Sequence, residues 1–194
     1  MAVPKKVLIA CKIFEEELTT LLEREDEAVR PRVVWLDAAL HLDLKLLDKE
    51  LRAAIDEAQS QAPDQVRVFF GRGCLPHMDE LLREKGLPLC PTFNCLSAFV
   101  GEEKVRELEQ GNTILMTPSW VRYWPSNARR LSGWDPVDFR TGLGRYDRIL
   151  VIDPGINPLS DEEILEFFDL VQVPIEVTSI DLDHFQATVQ QVLA

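Results

Sequence analysis

The chain has 194 residues, with 33 acidic and 21 basic side chains, which give a formal net charge of −12. This charge argues against nucleic acid or an anionic membrane surface as a partner, because both are held through clustered Lys and Arg. Apolar residues make up 46% of the chain and glycines number only 9, a composition typical of a folded domain rather than a disordered segment. We expect a single domain over residues 1–194.

The first apolar run, residues 7–10, is too short for a signal peptide or a membrane span. The chain is therefore expected in the cytoplasm and without a membrane partner. Thiols in that compartment stay reduced, so the 4 cysteines are expected to be buried thiols, metal ligands or reactive groups rather than disulfides.

Short apolar runs alternate with helical patterns in the first half of the chain. Continuous apolar runs of this length are typical of strands covered on both faces, and the apolar residues that follow them recur at helical spacing. The predicted strands are 7–10, 33–36 and 66–70, and the predicted helices begin near Lys12, at Asp43 and at Met78, the last ending near Lys85.

The alternation continues in the second half, where Asn94 and Ser160 are predicted helix N-caps. The predicted strands are 113–116, 148–152 and 173–180, with an extended segment at 87–89, and the predicted helices are 102–109, one opening at Asp135, 159–170 and 181–193. Strands and helices in this order predict an α/β fold with a mostly parallel, doubly wound (Rossmann-like) sheet covered by helices on both faces. Ligands of such sheets bind beyond the carboxyl ends of the strands.

Three cysteines fall at predicted strand ends or helix starts. Cys11 ends the first strand, Cys74 lies in the glycine-containing turn after the third, and Cys95 begins a helical pattern. Three loops at one sheet edge can bring them together, and three thiolates with one open position suit an iron–sulfur cluster or zinc. His77, three residues after Cys74, is either a further ligand or an exposed or capping residue of a turn, whereas Cys90, between prolines, is expected to be a buried thiol. Without a CxxC pair, burial of all these thiols remains the alternative.

The turn after the third predicted strand contains Gly71 and Gly73. Glycines there indicate either an anion-binding loop, although the third glycine of GxGxxG is missing, or a turn that needs positive φ. Asp37 and His41, after the second strand, form either an acid and base pair or a turn capped by Asp37.

Residues 120–134 are rich in aromatic and basic side chains, and they follow the strand at 113–116. Ser119, Trp120 and Arg122 would then bind a small anionic substrate near the sheet edge. The arginines of this segment could instead pair with the acidic surface. Ser119 is not part of a GxSxG motif, so the sequence gives a hydrolase triad little support.

The sequence resembles the bacterial and archaeal family of unknown function numbered 1638 (DUF1638). The resemblance is carried by the segments IAC, VVWLDAALHLDLKLLDKELRAAID, FGRGC, NCLSAFVG, TPSW and RILVIDPG. It implies that Cys11, Cys74 and Cys95 are the cysteines of the family pattern. The chain departs from that pattern at Asn94, where the family has an acidic residue, and after Cys74, where a glycine commonly follows. Members occur in anaerobes, some near corrinoid methyl-transfer genes, and no activity comes with the family.

The leading hypothesis is therefore a metal-binding protein with an iron–sulfur cluster, in preference to zinc, on Cys11, Cys74 and Cys95. An open coordination position would act on a small anionic substrate. The second hypothesis is a thiol enzyme or sulfur carrier with Cys74 as a low-pKa nucleophile. The third is a non-enzymatic binding or assembly partner that uses residues 120–134 as a contact surface. The sequence leaves the oligomeric state open.

Overall fold

A computed structural model describes residues 5–194, which contain six β-strands and nine α-helices. The strands are β1 (Val7–Cys11), β2 (Arg32–Leu36), β3 (Val66–Phe69), β4 (Thr113–Met116), β5 (Arg148–Asp153) and β6 (Ile175–Ser179). The helices are α1 (Glu15–Leu22), α2 (Leu44–Gln61), α3 (Met78–Glu84), α4 (Cys95–Val100), α5 (Glu102–Leu108), α6 (Pro118–Ser132), α7 (Pro136–Leu143), α8 (Asp161–Val171) and α9 (Asp183–Leu193). The predicted alternation of strands and helices is confirmed.

The strands form two three-stranded parallel sheets, with the orders β2-β1-β3 and β4-β5-β6. In the first sheet Ile9 pairs with Val34 and Val68, and in the second Val151 pairs with Met116 and Val177. The predicted α/β class with parallel strands is confirmed. The strands are divided between two sheets rather than joined in one, because apolar periodicity locates strands but does not determine which of them pair.

Helices cover both faces of the first sheet. Successive side chains of a strand point to opposite faces, so the packing partners of neighbouring residues in β1 show what covers each face. Val7 and Ile9 of β1 belong to a core cluster with Leu51 of α2. Leu8 and Ala10, from the same strand, belong to the cluster on the opposite face. Near-continuous apolar strands result from this double coverage.

The second sheet is also covered on both faces. Val151 of β5 packs in a cluster with Phe139 of α7 and Phe167 of α8. Leu150, the neighbouring residue, packs instead with Leu115 of β4 and Val105 of α5. The helices that follow each strand therefore enclose both sheets in the way the alternating pattern predicts.

Helix α9 brings the last part of the chain back to the first sheet. Phe185 of α9 lies 4.6 Å from Phe99, 5.6 Å from Phe14 and 5.8 Å from Phe69, measured between ring centroids. All four rings are fully buried. Burying a large apolar side chain contributes about 1.5–3 kcal/mol to stability. These contacts therefore contribute substantially to the packing of α9 against β3.

Both predicted N-caps are confirmed, and each forms a capping box in which side chain and backbone bond reciprocally. Asn94 Oδ1 accepts from the backbone N–H of Ser97 at 2.7 Å. Ser160 Oγ accepts from the N–H of Glu163 at 3.2 Å. No helix within residues 5–194 combines the length and the apolar character that crossing a membrane requires.

Candidate functional site at the cysteine cavity

A cavity of about 270 Å³ opens where the three strands of the first sheet end. Its lining includes Cys11, the last residue of β1, and Asp37 and Phe70, which directly follow β2 and β3. Cys74 and Cys95 complete the sulfur-bearing part of the lining. The three cysteines singled out in the sequence therefore line one cavity, which we call the cysteine cavity, at the carboxyl edge expected for ligands of a parallel sheet.

The loops that carry Cys74 and Cys95 are fastened to each other by backbone hydrogen bonds. The N–H groups of Arg72 and Gly73 donate to the carbonyls of Thr92 and Phe93, at 2.9 and 2.7 Å. This pairing places the turn after β3 directly against the segment that leads into α4.

The glycines of that turn are explained by close approach rather than by backbone conformation. A Cβ on Gly71 would lie 2.5 Å from Asn94 Cα, and one on Gly73 would lie 2.9 Å from the ring of Phe93. The φ of Gly71 is −77°, and neither glycine has a positive φ. The predicted need for positive φ is therefore wrong, because the turn requires space and not left-handed backbone.

Cys95 is positioned by the first turn of α4, and its sulfur accepts a hydrogen bond from a residue of α6. The Asn94 capping box fixes the start of α4 at Cys95. The indole N–H of Trp120 donates to Cys95 Sγ at 3.3 Å. Trp120 in turn is placed by the cap of α6, where its backbone N–H donates to Thr117 Oγ1 at 3.3 Å. Trp120 was a predicted site residue, and it does line the cavity.

His41 also lines the cysteine cavity, with its ring edge-on to Trp120 at 4.7 Å between centroids. Its Nδ1 lies at hydrogen-bond distance from the Ala38 carbonyl. A carbonyl can only accept, so Nδ1 carries the proton and, in the neutral ring, Nε2 is an acceptor. Burial lowers the pKa of His41, which favours the neutral ring. Sequence reasoning named His41 as one member of an acid and base pair.

Asp37 does not bond to His41 but caps the turn that precedes it. Its Oδ1 accepts from the N–H of Ala39 at 2.9 Å, and its Oδ2 lies 3.4 Å from a guanidinium nitrogen of Arg130. Of the two alternatives drawn from the sequence, the capped turn is the one that the structure contains.

All three cavity thiols are held toward their neutral form. Burial raises the pKa of Cys11, and the neighbouring Cys95 and Cys74 raise it further. Burial raises the pKa of Cys95 to about 11, against the opposing effect of the Trp120 hydrogen bond. Burial also raises the pKa of Cys74, the opposite of the shift that an activated nucleophile needs. Thiolates at this cavity would therefore need a compensating positive charge, such as a metal.

The candidate ligand His77 lies elsewhere, and so does Cys90, which the sequence predicts to be a buried thiol outside the site. The Nε2 of His77 is 2.9 Å from Asp48 Oδ1 on α2, and His77 is not among the described residues that line the cavity. Cys90 also lies outside the lining, and its thiol donates to the Val68 carbonyl at 3.5 Å. Cys90 is buried, as the sequence predicts.

The predicted substrate residues next to Trp120 on α6 are not brought to the cavity. Arg122 Nε donates to Glu163 Oε1 at 2.6 Å, and its other nitrogens donate to the carbonyls of Asn157 and Pro158, both at 2.9 Å. Ser119 is buried and is not among the described lining residues. Successive residues of a helix point in different directions, so Trp120 reaches the cavity whereas its neighbours do not.

The aromatic side chains of the segment 120–134 are half-buried and pack partly on one another, whereas Ser126 and residues 129–133 are exposed. Trp124 and Trp134 lie edge-to-face at 5.4 Å, and each also meets Phe139 at 5.2 Å. Val121 and Ala128 are buried in the same cluster. The third hypothesis, in which the segment is a contact surface for a partner protein, stays a prediction, because part of the segment is exposed.

The donor chemistry of the cavity is sulfur in an aromatic and aliphatic surrounding that includes Phe70 and Phe93. Thiolate sulfur is the preferred donor for zinc and iron–sulfur clusters. Among residues 5–194, no group of three or more His, Cys, Asp or Glu side chains is arranged to hold a metal ion. Cys11, Cys74 and Cys95 line one cavity without forming such a group.

A family model described as "Protein of unknown function (DUF1638)" matches residues 35–189. The match covers most of the chain and includes Cys74, Cys95, His41 and Trp120, whereas Cys11 precedes it. Comparison with curated proteins and with solved structures gives no match.

Proposed function

This chain belongs to the DUF1638 family, and we propose that it binds an iron–sulfur cluster through the thiolates of Cys11, Cys74 and Cys95, with zinc as the alternative metal. The single observation that carries the proposal is that these three cysteines, from three separate loops, line one cavity at the carboxyl edge of the first sheet. We place the protein in the cytoplasm, where its thiols stay reduced.

The size of the cavity favours a cluster over a single ion. Its volume is about 270 Å³, whereas one water molecule occupies roughly 30 Å³ of liquid. In a cluster each coordinated iron takes its own cysteine, so the sulfurs are spread around the group. Three cysteines that line one cavity without forming a single-ion site are in keeping with this requirement.

Metal binding would also compensate the cost of ionising the buried thiols, because the metal supplies positive charge beside each thiolate. Burial raises the pKa of Cys74 and raises that of Cys95 to about 11. A metal lowers a thiol pKa and deprotonates the ligand on binding. The N–H of Trp120 already stabilises negative charge on Cys95 Sγ, so this hydrogen bond supports a thiolate at that position.

Three protein thiolates leave one coordination position open, and a metal centre of this type supplies a Lewis acid when bound. The residues around that position would have defined tasks. His41 presents a neutral Nε2 that can accept a proton or a hydrogen bond. The half-exposed ring of Phe93 lines the same cavity. The small anionic substrate stays a prediction from the sequence, because none of the described lining residues is Lys or Arg.

The test is metal analysis of protein purified without oxygen. Iron and acid-labile sulfide, together with a broad visible absorption, are expected in the natural protein, and Cys11→Ser, Cys74→Ser and Cys95→Ser should each reduce them severely. If zinc is the metal, the protein should be colourless and contain zinc that the same three substitutions remove.

Cys90→Ser is the matched control, because Cys90 is buried outside the cavity and a serine hydroxyl can still donate to the Val68 carbonyl. It should retain the metal in full. Protein that stays colourless and metal-free, even after anaerobic incubation with iron, sulfide or zinc, would contradict the proposal.

The thiol-enzyme alternative predicts rapid alkylation of Cys74 near neutral pH. The raised pKa of Cys74 leads us to expect slow alkylation instead. Mass spectrometry of metal-free protein treated with iodoacetamide separates the two, since only a low-pKa nucleophile would make Cys74 react much faster than the other cysteines.

A further inference from the structure

A second cavity, of about 350 Å³, borders the cysteine cavity. The two share Asn94, Cys95 and Trp120 among their described lining residues. The Trp120 N–H to Cys95 Sγ hydrogen bond, at 3.3 Å, therefore lies where they meet. We call the second space the apolar cavity, because its other lining residues are mostly aliphatic or aromatic: Leu96, Ile114, Leu115, Met116, Trp124 and Leu143.

The apolar cavity runs along the free edge of β4. Ile114, Leu115 and Met116 are consecutive residues of this strand, and successive side chains point to opposite faces. A space that touches all three must lie at the edge of the sheet, and β4 is an edge strand because it pairs only with β5. The cavity is thus a product of the division of the fold into two sheets.

The charges around this cavity exclude anions as ligands. None of its described lining residues is Lys or Arg, and the one ionisable carboxylate is that of Glu109, an exposed residue. An anion here would gain no ion pair and would meet a chain of net charge −12. A ligand must be uncharged and apolar over most of its surface.

The apolar cavity is an open cleft, so a ligand that binds there would displace water from apolar walls. Ligand sites are typically clefts lined mainly by apolar side chains. The volume of about 350 Å³ falls at the small end of known ligand pockets.

We infer that the apolar cavity is a binding site for a small, uncharged, apolar molecule, one end of which lies against Cys95 and Trp120. This site goes beyond the proposed metal function, because its lining requires no metal. It also gives a molecule bound there a short path to the sulfur of Cys95, the residue common to both cavities.

The inference can be tested with two probes of the same shape and different charge. Binding of 4-fluorotoluene and of 4-fluorobenzoate to the full chain is measured by ¹⁹F NMR. We expect saturable binding of 4-fluorotoluene and at least about tenfold weaker binding of 4-fluorobenzoate, which corresponds to about 1.4 kcal/mol. Equal binding of the two probes, or no saturable binding of 4-fluorotoluene, overturns the inference.

Two substitutions locate the binding. Leu96→Phe on α4 and Ile114→Phe on β4 enlarge half-buried side chains of the lining, and each should weaken 4-fluorotoluene binding at least about fivefold. Leu170→Phe, a half-buried leucine of α8 outside both cavities, should leave binding unchanged. Circular dichroism checks folding, and either cavity variant suffices if the other does not fold. Unchanged binding in the folded variants overturns the inference.

A double variant separates this site from the metal proposal. Cys11→Ser with Cys74→Ser removes two thiols of the cysteine cavity and leaves the lining of the apolar cavity intact. We expect 4-fluorotoluene binding within about twofold of that of the natural protein, whether or not a metal is present. If binding is lost with the metal, the apolar cavity is no independent site. If sedimentation shows that a second copy of the chain covers β4 and excludes the probe, the cavity is a dimer contact and the inference fails.

Discussion

The indole N–H of Trp120 donates to Sγ of Cys95, at a nitrogen to sulfur distance of 3.3 Å. The bond joins the first turn of α6 to the first residue of α4. Together with the Trp120 ring on His41 and Arg130 beside Asp37, it connects the second half of the chain to the cysteine cavity. A hydrogen bond to sulfur stabilises the thiolate over the thiol.

Trp120→Phe should raise the pKa of Cys95 above its value of about 11. The substitution keeps an aromatic ring but removes the N–H that lowers this pKa by donating to the sulfur. The pKa is obtained from the pH profile of Cys95 alkylation in metal-free protein, followed by peptide mass spectrometry. The profile matters more than the rate at one pH, because a smaller ring also changes access to the sulfur. We expect a stability loss of about 1 kcal/mol from the missing hydrogen bond.

Trp124→Phe is the matched control for this substitution, since Trp124 packs on Trp134 and Phe139. It should leave the alkylation profile of Cys95 unchanged. A profile that is the same in the Trp120→Phe variant and the natural protein would show that the N–H does not act on the sulfur.

Gly71→Ala should be far more damaging than Gly73→Ala, although both glycines lie in the same turn. A methyl group on Gly71 would meet the backbone of Asn94 and Phe93, each at 2.5 Å, whereas one on Gly73 would meet the ring of Phe93 at 2.9 Å. Backbone cannot yield, but the Phe93 ring is 53% exposed and can rotate. We expect a loss of about 3 kcal/mol for Gly71→Ala and about 1 kcal/mol for Gly73→Ala, measured by urea unfolding. Equal losses would contradict the steric explanation.

Glu17 should make the protein less stable as the pH rises. Its side chain is 2% exposed and one of its oxygens has no hydrogen-bond partner, and burial, with smaller effects from Glu16 and Asp153, raises its pKa from 4.5 to about 7. The folded state therefore binds more protons than the unfolded state between these values, so the free energy of unfolding falls over that interval.

Glu17→Gln removes this pH dependence. At about pH 4 the variant and the natural protein should be similar, and at about pH 8 the variant should be more stable by up to about 3 kcal/mol. Glu15→Gln, on the same helix and facing Lys12, controls for the loss of one negative charge. A gain of the same size in both variants would assign the effect to net charge instead of burial. Urea unfolding at the two pH values provides the measurement.

Arg122→Gln should loosen the attachment of α8 without disturbing the cysteine cavity. Arg122 holds Glu163 together with two backbone carbonyls, and its hydrogen bond lowers the pKa of Glu163 to about 2. The stabilisation is present above the ordinary pKa of 4.5 and is lost as the pH falls toward 2. We expect a loss of about 1–3 kcal/mol at neutral pH, typical of hydrogen bonds to charged groups.

Metal content should be unchanged in the Arg122→Gln variant, because Arg122 does not line the cavity. Arg129→Gln removes an exposed arginine of the same helix whose guanidinium lies 5.6 Å from the centre of the Phe139 ring, and it should cost at most about 1 kcal/mol. A loss of metal or of bound anion in Arg122→Gln would instead support the substrate role that the sequence suggested.

Local signals in the sequence are sufficient to predict where strands end and which residues cap helices. Asn94 and Ser160 precede helical patterns and do cap them, and Cys11 ends a strand as its apolar run predicts. Such features depend on a few neighbouring residues. For the same reason, the convergence of the loops on one edge followed from the parallel arrangement alone.

Features that depend on distant packing were not predictable. The helix α6 contains Pro125 and closely spaced aromatic residues, which obscure its period, and it was not identified. Phe93 lines the cavity because its backbone pairs with Gly73, and no local pattern signals that contact. The direction of Arg122 depends on Glu163, which lies on another helix. The pairing of strands into two sheets is likewise decided by packing and not by periodicity.

The return of α9 to the first sheet has a consequence for synthesis on the ribosome. Phe14, Phe69 and Phe99 emerge long before Phe185, the ring that completes their cluster. Helices α1 and α4 already cover part of this face of the first sheet, but the part that Phe185 covers stays open until α9 has been made. A chain that ends before α9 therefore lacks the ring that completes this aromatic cluster.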